Sequence, residues 1–280
     1  MSTENALLTI LVEKIGNDTI TLPTLPEVAV KIRRAADDPK INLHRMAEVI
    51  AYDPALSARM MRVANSPMVA RQIKVETINQ AVTRIGLRQI KNIATAMAME
   101  QLFVSKNALI KSYLDTAWQK SVEISTVAIA LMQAYLKHNK HSSLNVDTIT
   151  LAALVHNIGV LPILTEAERH EDVFANPQFL SQAIQKLAGH IGGTIMKTWD
   201  FPREFVEVAQ KWSDFSYEPA QPSYVDFVRI GALQSGVLSK VDKKDKLIHH
   251  YVEKGILPSH DFLEKSDFLD VLAEVKTAFA

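Results

Sequence analysis

Hydrophobic residues recur along the chain with the spacing of buried helix faces, and capping residues mark where the helices begin. In an early example, Val28, Ala29 and Ile32 fall on one face of a helix that Pro26 opens. Three further starts place a capping residue before an apolar run: Asn42, Asp53 followed by Pro54, and Thr77. The first part of the chain is therefore predicted to consist of short, amphipathic helices.

The second half continues the same pattern with longer helices. A long helix is predicted from Ala108 to Leu136, and a mostly apolar one, capped by Asn145 or Asp147, ends at His156. Further helices are predicted at about 178–199, 202–212, 224–239, 243–254 and 266–279. Alternating strand patterns of useful length are missing, so the fold class is predicted to be all-α.

Composition excludes several functional classes. The 280 residues carry 31 basic and 31 acidic side chains, and this zero net charge argues against gripping nucleic acid or an anionic membrane through bulk electrostatics. The absence of cysteine excludes disulfides, thiolate nucleophiles, zinc fingers and iron–sulfur clusters, so a metal would rest on His, Asp or Glu. Phosphate-binding loops, dinucleotide fingerprints and nucleophile elbows are also missing.

No targeting signal is predicted. Residues 1–16 include Glu4 and Glu13 and lack a basic leader. The best apolar stretch, Val122 to Leu136, is interrupted by polar residues, and no stretch is expected to be long and apolar enough to span a membrane. A cytoplasmic location follows as the expectation.

Candidate chemistry centres on His156. Carboxylate pairs such as Glu166 with Glu168 are predicted to lie in a solvated polar loop. His156 instead follows the apolar run 151–155, where a polar pair with Asn157 costs free energy unless it is hydrogen-bonded or ligated. Two interpretations stay open: a hydrogen-bonded core histidine beside a capping asparagine, or the remainder of a metal site.

Seven short motifs then occur in order: Leu22–Ala29, Asp53–Arg59, Arg62–Ser66, Ile78–Val82, Gly86–Asn92, Ala152–Gly159 and Trp199–Pro202. Together they resemble the HDOD domain, a divergent relative of the HD metal-dependent phosphohydrolases, over roughly Ile20 to Asp214. The resemblance implies a two-lobed helical HDOD/HD-like fold. Residues 1–112 are expected to form the N-terminal helical lobe, and residues 113–280 the HD-like lobe with a C-terminal helical tail.

The resemblance also implies which metal ligands have been lost. HD phosphohydrolases hold a divalent metal with a first His, a His-Asp pair and a later Asp, and the metal polarises phosphate and activates water. Those positions, with three accessory ones, fall here on Lys120, on His156 and Asn157, on Ala188 near His190, on Trp212 and Ser213, and on Ala232.

Both balancing carboxylates are therefore missing, and a lysine replaces one ligand. The prediction is a vestigial pocket of Lys120, His156, Asn157 and His190, with no catalytic residue, no metal and no cofactor. A divalent transition metal at His156 and His190 is the weaker alternative.

Charge is concentrated between Arg59 and Lys91, where seven basic residues oppose one acid, Glu76. The stretch is either a solvated helix surface or a dock for a phosphate, an acidic partner or weakly bound nucleic acid. If the chain is helical across Gly86, its last three cations share one face. No aromatic residue interleaves these positions, so base stacking has no platform. The candidate docking residues are Arg59, Arg62, Arg84, Arg88 and Lys91.

The function expected from the resemblance is a cytoplasmic, non-catalytic signal-transduction or scaffolding protein. Such domains belong to bacterial signalling networks, often beside response-regulator or cyclic-dinucleotide modules, and work through protein partners. No such module is recognised here, so a free-standing adaptor is expected, acting through partners or a small anionic ligand and without a membrane. The alternative is a metal-dependent phosphohydrolase of a nucleotide or phosphoester. Nucleic-acid binding through residues 59–91 is the least favoured hypothesis.

Overall fold

The computed structural model describes residues 6–67, 69, 73–170, 177–238 and 244–279, and among them no strand occurs, which confirms the all-α prediction. The helices are α1 Ala6–Gly16, α2 Glu27–Asp37, α3 Leu43–Ala51, α4 Pro54–Asn65, α5 Ile78–Ile85, α6 Leu87–Met99, α7 Ala108–His138, α8 Val146–Val155, α9 Val160–Arg169, α10 Pro177–Thr198, α11 Arg203–Lys211, α12 Tyr224–Gln234, α13 Lys244–Glu253 and α14 Ser266–Phe279. Two 3-10 turns, Glu100–Leu102 and Phe262–Glu264, complete the described secondary structure.

The predicted helix starts form because side chains satisfy the first free backbone N–H groups. Asn42 Oδ1 accepts from the backbone N–H of Arg45 at 2.9 Å. Asp53 Oδ1 accepts from the backbone N–H of Leu56 at 3.0 Å. Thr77 completes a reciprocal capping box at the start of α5. Each such cap contributes about 1 kcal/mol, which is why the starts are readable from local sequence.

Two details of the predicted boundaries are settled by the structure. Asn145, and not Asp147, caps α8, since its Oδ1 accepts from the backbone N–H of Thr148 at 2.8 Å. Helix α12 does not continue to Ser239 as predicted but ends before Gly236, which adopts a positive φ of 74°. A left-handed residue interrupts the helical hydrogen bonding, so the chain turns there.

Two hydrophobic cores lie side by side, and one helix serves both. The smaller core is built from α2 to α6, with Ile90 and Ile93 of α6 among its members. The larger core is built mainly from α7 to α14 and also receives Ala96 and Met99 of α6. Helix α6 packs against α2 on one side and α8 on the other. The seam between the lobes therefore follows α6.

The first helix joins the larger core although it is the most N-terminal. Leu7 and Leu11 are buried in that core, and α1 packs against α9 and α10. The division at 112/113 stays a prediction. The packing adds that the HD-like core takes in the start of the chain.

The expectation for Glu166 was wrong, because this carboxylate lies in α9 and not in a solvated loop. Glu166 is 1% exposed and forms ion pairs with Lys14 of α1 at 2.6 Å and with Arg169 at 2.7 Å. Glu168 accepts a hydrogen bond from the Ser105 hydroxyl at 2.9 Å. Glu166 is buried because α1 covers α9, and its charge is balanced by two cations.

One apolar segment also departs from expectation. Val146–Arg169 is long and apolar enough, by length and composition, to cross a membrane. The segment is two helices, α8 and α9, joined by a turn, and 83% of its most apolar window is buried inside the protein. Burial of this kind is typical of a core helix pair, which passes the same composition test.

Candidate functional site

His156 lies in the turn between α8 and α9 and is 2% exposed. Its Nδ1–H donates to the carbonyl oxygen of Ala153 at 2.6 Å, since a carbonyl can only accept. The Trp212 ring packs edge-on against the imidazole, with ring centroids 4.6 Å apart and planes at 89°. Burial lowers the pKa of His156 to about 4, with the Ala153 hydrogen bond opposing, so the imidazole is neutral near pH 7.

The turn after His156 is pressed against the backbone of α10. A Cβ added at Gly159 would lie 1.9 Å from the carbonyl oxygen of Ala188 and 2.6 Å from the backbone nitrogen of Gly192. Only glycine permits this approach. Beside it, the Oδ1 atom of Asn157 is buried and has no hydrogen-bond partner in the part of the chain that the structure describes.

Trp212 is anchored by Arg229, a residue that the sequence analysis did not single out. The guanidinium of Arg229 is 3% exposed and donates to backbone carbonyls at the end of α11. The acceptors are Lys211 at 2.9 Å, Trp212 at 3.1 Å, Tyr217 at 2.8 Å and, closer still, Asp214. The available signal was a charged residue within the apolar run 225–233.

The predicted four-residue pocket does not form one bonded cluster. The Lys120 amine pairs with Glu123 at 2.6 Å, and both side chains are partly exposed. His190 is exposed on α10. Within the described ranges, no hydrogen bond or ion pair joins Lys120 or His190 to His156. The described contacts of His156 are thus with Ala153 and Trp212, and Lys120 and His190 take no part in them.

The donors around His156 do not fit a divalent metal. A magnesium- or manganese-type site requires several oxygen or nitrogen donors with balancing negative charge. Here the aligned positions offer one imidazole, the neutral amide of Asn157, the Ser213 hydroxyl, the Lys120 amine, and the side chains of Ala188, Trp212 and Ala232, with no carboxylate among them. Among the residues described, no three His, Asp or Glu side chains are grouped so that they could hold a metal ion.

The basic stretch divides at Gly86, which has a φ of 88°, ends α5 and precedes α6. The condition for one shared face, a helix continuous across Gly86, is therefore not met, and Arg84 does not continue the helix face of the two later cations. Its guanidinium donates instead to the backbone carbonyls of Ala64, at 3.2 Å, and Ile73. Arg84 thus fastens the segment before α5 to α4.

Two other cations of the stretch also separate. Arg59 forms an ion pair with Glu100 and donates to the carbonyl oxygen of Met97 at 3.4 Å. Arg62 is exposed on α4. Arg71, which the charge count included, lies outside the described residues. Arg59 and Arg62 line one cavity together, which is separate from the cleft that Arg88 and Lys91 line.

Arg88 and Lys91 border a cleft of about 240 Å³ between the lobes. Helices α2 and α6 line one side of it, and α8 with the start of α11 lines the other. Lys91 forms an ion pair with Asp37 at the rim, whereas Arg88 is exposed. Thr95 of α6 and Glu204 of α11 also line this cleft.

Arg33 of α2 ties the lobes together beside the cleft. Its guanidinium donates to the carbonyl oxygens of Trp199 at 2.8 Å and Asp200 at 2.9 Å, and it stacks 4.0 Å from the centre of the Phe201 ring. The Trp199 indole N–H donates in turn to the carbonyl oxygen of Pro23 at 3.1 Å. The first and last of the seven motifs therefore meet in space, a contact that no local pattern indicates.

The family model that matches the chain is the HDOD domain, over residues 22–215. A protein of Shewanella amazonensis SB2B, named as a candidate metal-dependent phosphohydrolase, is 42% identical with a TM-score of 0.94, and the match covers 100% of both chains. A candidate signal transduction protein of Marinobacter aquaeolei VT8 shares the fold, with 18% identity, a TM-score of 0.64 and coverage of 99% of this chain and 66% of that one. A curated protein of Treponema pallidum (strain Nichols) is 22% identical over 223 residues, which span 75% of this chain and 41% of that protein's length.

Proposed function

The chain belongs to the HDOD domain family, and from this premise we propose that it is a non-catalytic signal-transduction or scaffolding protein of the cytoplasm. It acts through protein partners or a small anionic ligand. One observation carries the proposal: the histidine kept from the HD pair is neutral, buried under Trp212 and bonded to a backbone carbonyl. Metal-assisted hydrolysis needs ligands that hold and balance a cation next to the substrate.

Arg229 and Gly159 support this proposal from either side of His156. Arg229 holds the chain that carries Trp212, and Gly159 lets the turn close onto α10. A similar fold in Marinobacter aquaeolei VT8 carries a signal-transduction name, which agrees with the proposed role.

The alternative function is a metal-dependent phosphohydrolase. The observation in its favour is the 42% identity to the Shewanella amazonensis SB2B protein, which is named as a candidate for that activity. In this alternative, His156 and His190 would be the surviving nitrogen ligands, with a phosphoester or nucleotide as substrate.

One experiment separates the two functions. The chain is purified without chelator, its metal content is measured, and hydrolysis of p-nitrophenyl phosphate and its bis-ester is assayed with Mg²⁺, Mn²⁺, Fe²⁺ and Co²⁺. The expected result is well below one metal ion per chain and no hydrolysis above buffer. The Asn157→Asp variant, which restores the carboxylate of the pair, is expected to remain inactive because the other ligand positions stay empty.

A stoichiometric metal together with hydrolysis that is lost in His156→Ala would overturn the non-catalytic proposal. His141→Ala is the matched control, because His141 is exposed and belongs to neither predicted site. Loss of metal in both His156→Ala and His190→Ala would assign the alternative site to the two histidines.

The partner side of the proposal is tested by using the folded chain as bait in a native cytoplasmic extract. A protein captured in stoichiometric amount supports an adaptor. Nucleic acid is not an expected partner. Retention of DNA or RNA at physiological salt that is lost on joint replacement of Arg88 and Lys91 would contradict that expectation.

A further inference from the structure

Thr95 carries an unexplained polar atom in the cleft between the lobes. The residue is 0% exposed and lines the cleft, yet its Oγ1 atom has no hydrogen-bond partner among the described residues. A buried hydroxyl without a partner costs about 1–3 kcal/mol, so such a group calls for a reason.

Other helical threonines show the usual solution, which is donation to the carbonyl four residues earlier. The examples are Thr83 to Asn79, Thr126 to Val122, Thr150 to Val146 and Thr165 to Leu161, at 2.7–3.0 Å. Thr95 does not make this bond, although it lies within α6. Its hydroxyl is therefore left without a hydrogen bond to the described residues, on a side chain that belongs to the lining of the cleft.

The charges around the cleft indicate which charge a ligand bound there would carry. Arg33, Arg88 and Lys91 line the cleft, and Glu204 is the carboxylate among the lining residues. The guanidinium of Arg33 donates to two backbone carbonyls, so its positive charge is held in place beside the cleft. Positive potential in a partly enclosed space attracts anions.

Two carboxylates near the cleft reduce its positive potential. Asp37 forms an ion pair with Lys91. Burial raises the pKa of Asp147, and the positive charge of Arg88 opposes this rise. An anionic ligand would therefore compete with Asp37 for the amine of Lys91.

We propose that this cleft binds the phosphate group of a small phosphorylated molecule, with Arg88 and Lys91 as charged contacts and the Thr95 hydroxyl as a neutral donor. Arginine and lysine form charge-assisted hydrogen bonds with phosphate oxygens. The volume of about 240 Å³ is small for a ligand pocket, so it suits a phosphate with a short remainder and not a dinucleotide. This inference rests on the part of the proposed function that includes a small anionic ligand, and it places the site of that ligand away from His156.

Binding is measured by calorimetry on the full chain with two probes, inorganic phosphate and glycerol 3-phosphate. Saturable binding at millimolar concentration or below is expected, together with a raised Tm, because the ligand binds only the folded chain. Tighter binding of the ester would point to a phosphorylated metabolite, and tighter binding of the free ion would point to phosphate itself.

Four variants test the contacts. Arg88→Gln, Lys91→Gln and Thr95→Val are each expected to weaken binding about tenfold, the effect of losing one charged or well-formed hydrogen bond. Thr95→Val keeps the side-chain shape, so its unliganded Tm is expected to stay equal or rise. Asp37→Asn is expected to tighten binding several-fold, because it releases Lys91.

Arg62→Gln is the matched control, since Arg62 belongs to the same basic stretch but does not line this cleft. The proposal is overturned if neither probe binds, or if the affinity is unchanged in Arg88→Gln, Lys91→Gln and Thr95→Val. An equal loss in Arg62→Gln would also overturn it, because the binding would then be non-specific. Hydrolysis of glycerol 3-phosphate with Mn²⁺ that survives Arg88→Gln but not His156→Ala would overturn the non-catalytic function instead.

Discussion

The turn at His156 and the cleft at Thr95 are two places where polar groups are buried, and they differ in how those groups are bonded. At His156 the polar group is bonded within the protein and covered by Trp212. At Thr95 the hydroxyl has no partner among the described residues, and Arg33, Arg88 and Lys91 line the cleft beside it. Asn157 Oδ1, next to His156, also lacks a partner among those residues, but that atom lies in a turn that packs against the backbone of α10. The unpartnered group that lies among cations is therefore the one at the seam between the lobes.

Replacement of Arg229 is expected to give the largest loss of stability in the region around His156 and Trp212. Arg229→Met is expected to lower the free energy of unfolding by about 4 kcal/mol, because several buried carbonyls at the end of α11 lose a charged donor. Urea denaturation measures the change. Arg203→Met is the control, since Arg203 is 93% exposed and its replacement should shift the free energy by less than about 0.5 kcal/mol. Equal losses in the two variants would contradict the anchoring role.

A pH titration of stability probes His156 itself. Its pKa is about 4 in the folded chain against an ordinary 6.5, so the unfolded chain takes up the proton first as the pH falls. The contribution of a neutral His156 is complete above pH 6.5 and is lost between pH 6.5 and 4, by about 3 kcal/mol.

The comparison of wild type with His156→Leu isolates this effect from other groups that titrate in the same range. The variant is expected to lose the slope between pH 6.5 and 4, whereas His190→Gln, at an exposed position, should keep it. A slope that persists in His156→Leu would show that another group is responsible.

Gly159 tests whether the turn is as tightly closed as the geometry indicates. Gly159→Ala is expected to cost about 2 kcal/mol, because its Cβ would collide with the backbone of α10 and force a shift. Gly16→Ala is the control: no atom lies within 4 Å of its added Cβ, so its unfolding free energy should change little. Thermal or urea unfolding of both variants decides the point, and similar stabilities would argue that the turn is loose.

The smallest expected effect concerns Lys120. Lys120→Met should change the free energy of unfolding by less than about 0.5 kcal/mol, because its ion pair with Glu123 is partly exposed. The pH dependence that belongs to His156 should also stay unchanged. If the pH dependence of stability shifts in Lys120→Met, the amine lies near the imidazole, and the predicted four-residue pocket is supported.

Local chemistry explains which parts of the fold were predictable. Asn42, Asp53 and Thr77 cap the helices that they were expected to cap, because capping depends on only a few consecutive residues. Glu166 was misplaced for the opposite reason, since its burial depends on α1, which lies far away in the sequence.

The candidate site shows the same division. His156 and Asn157 were noticed because two polar residues end an apolar run. Arg229 and Arg33 were not noticed, because an arginine that binds distant backbone carbonyls leaves no periodic signal. Thr95 was invisible as well, since a missing hydrogen bond is a property of the packed structure alone.

The sequence was sufficient to predict the all-helical class, most helix starts and the family resemblance, and the loss of metal ligands at the positions aligned around His156 stays a prediction. These features depend on residue identity and on short-range order. The tertiary structure alone decided that Trp212 covers His156, that Gly86 divides the basic stretch, and that Arg88 and Lys91 face a cleft with Thr95. Such placements depend on how separate helices pack, and packing energies are set by neighbours that sequence distance does not reveal.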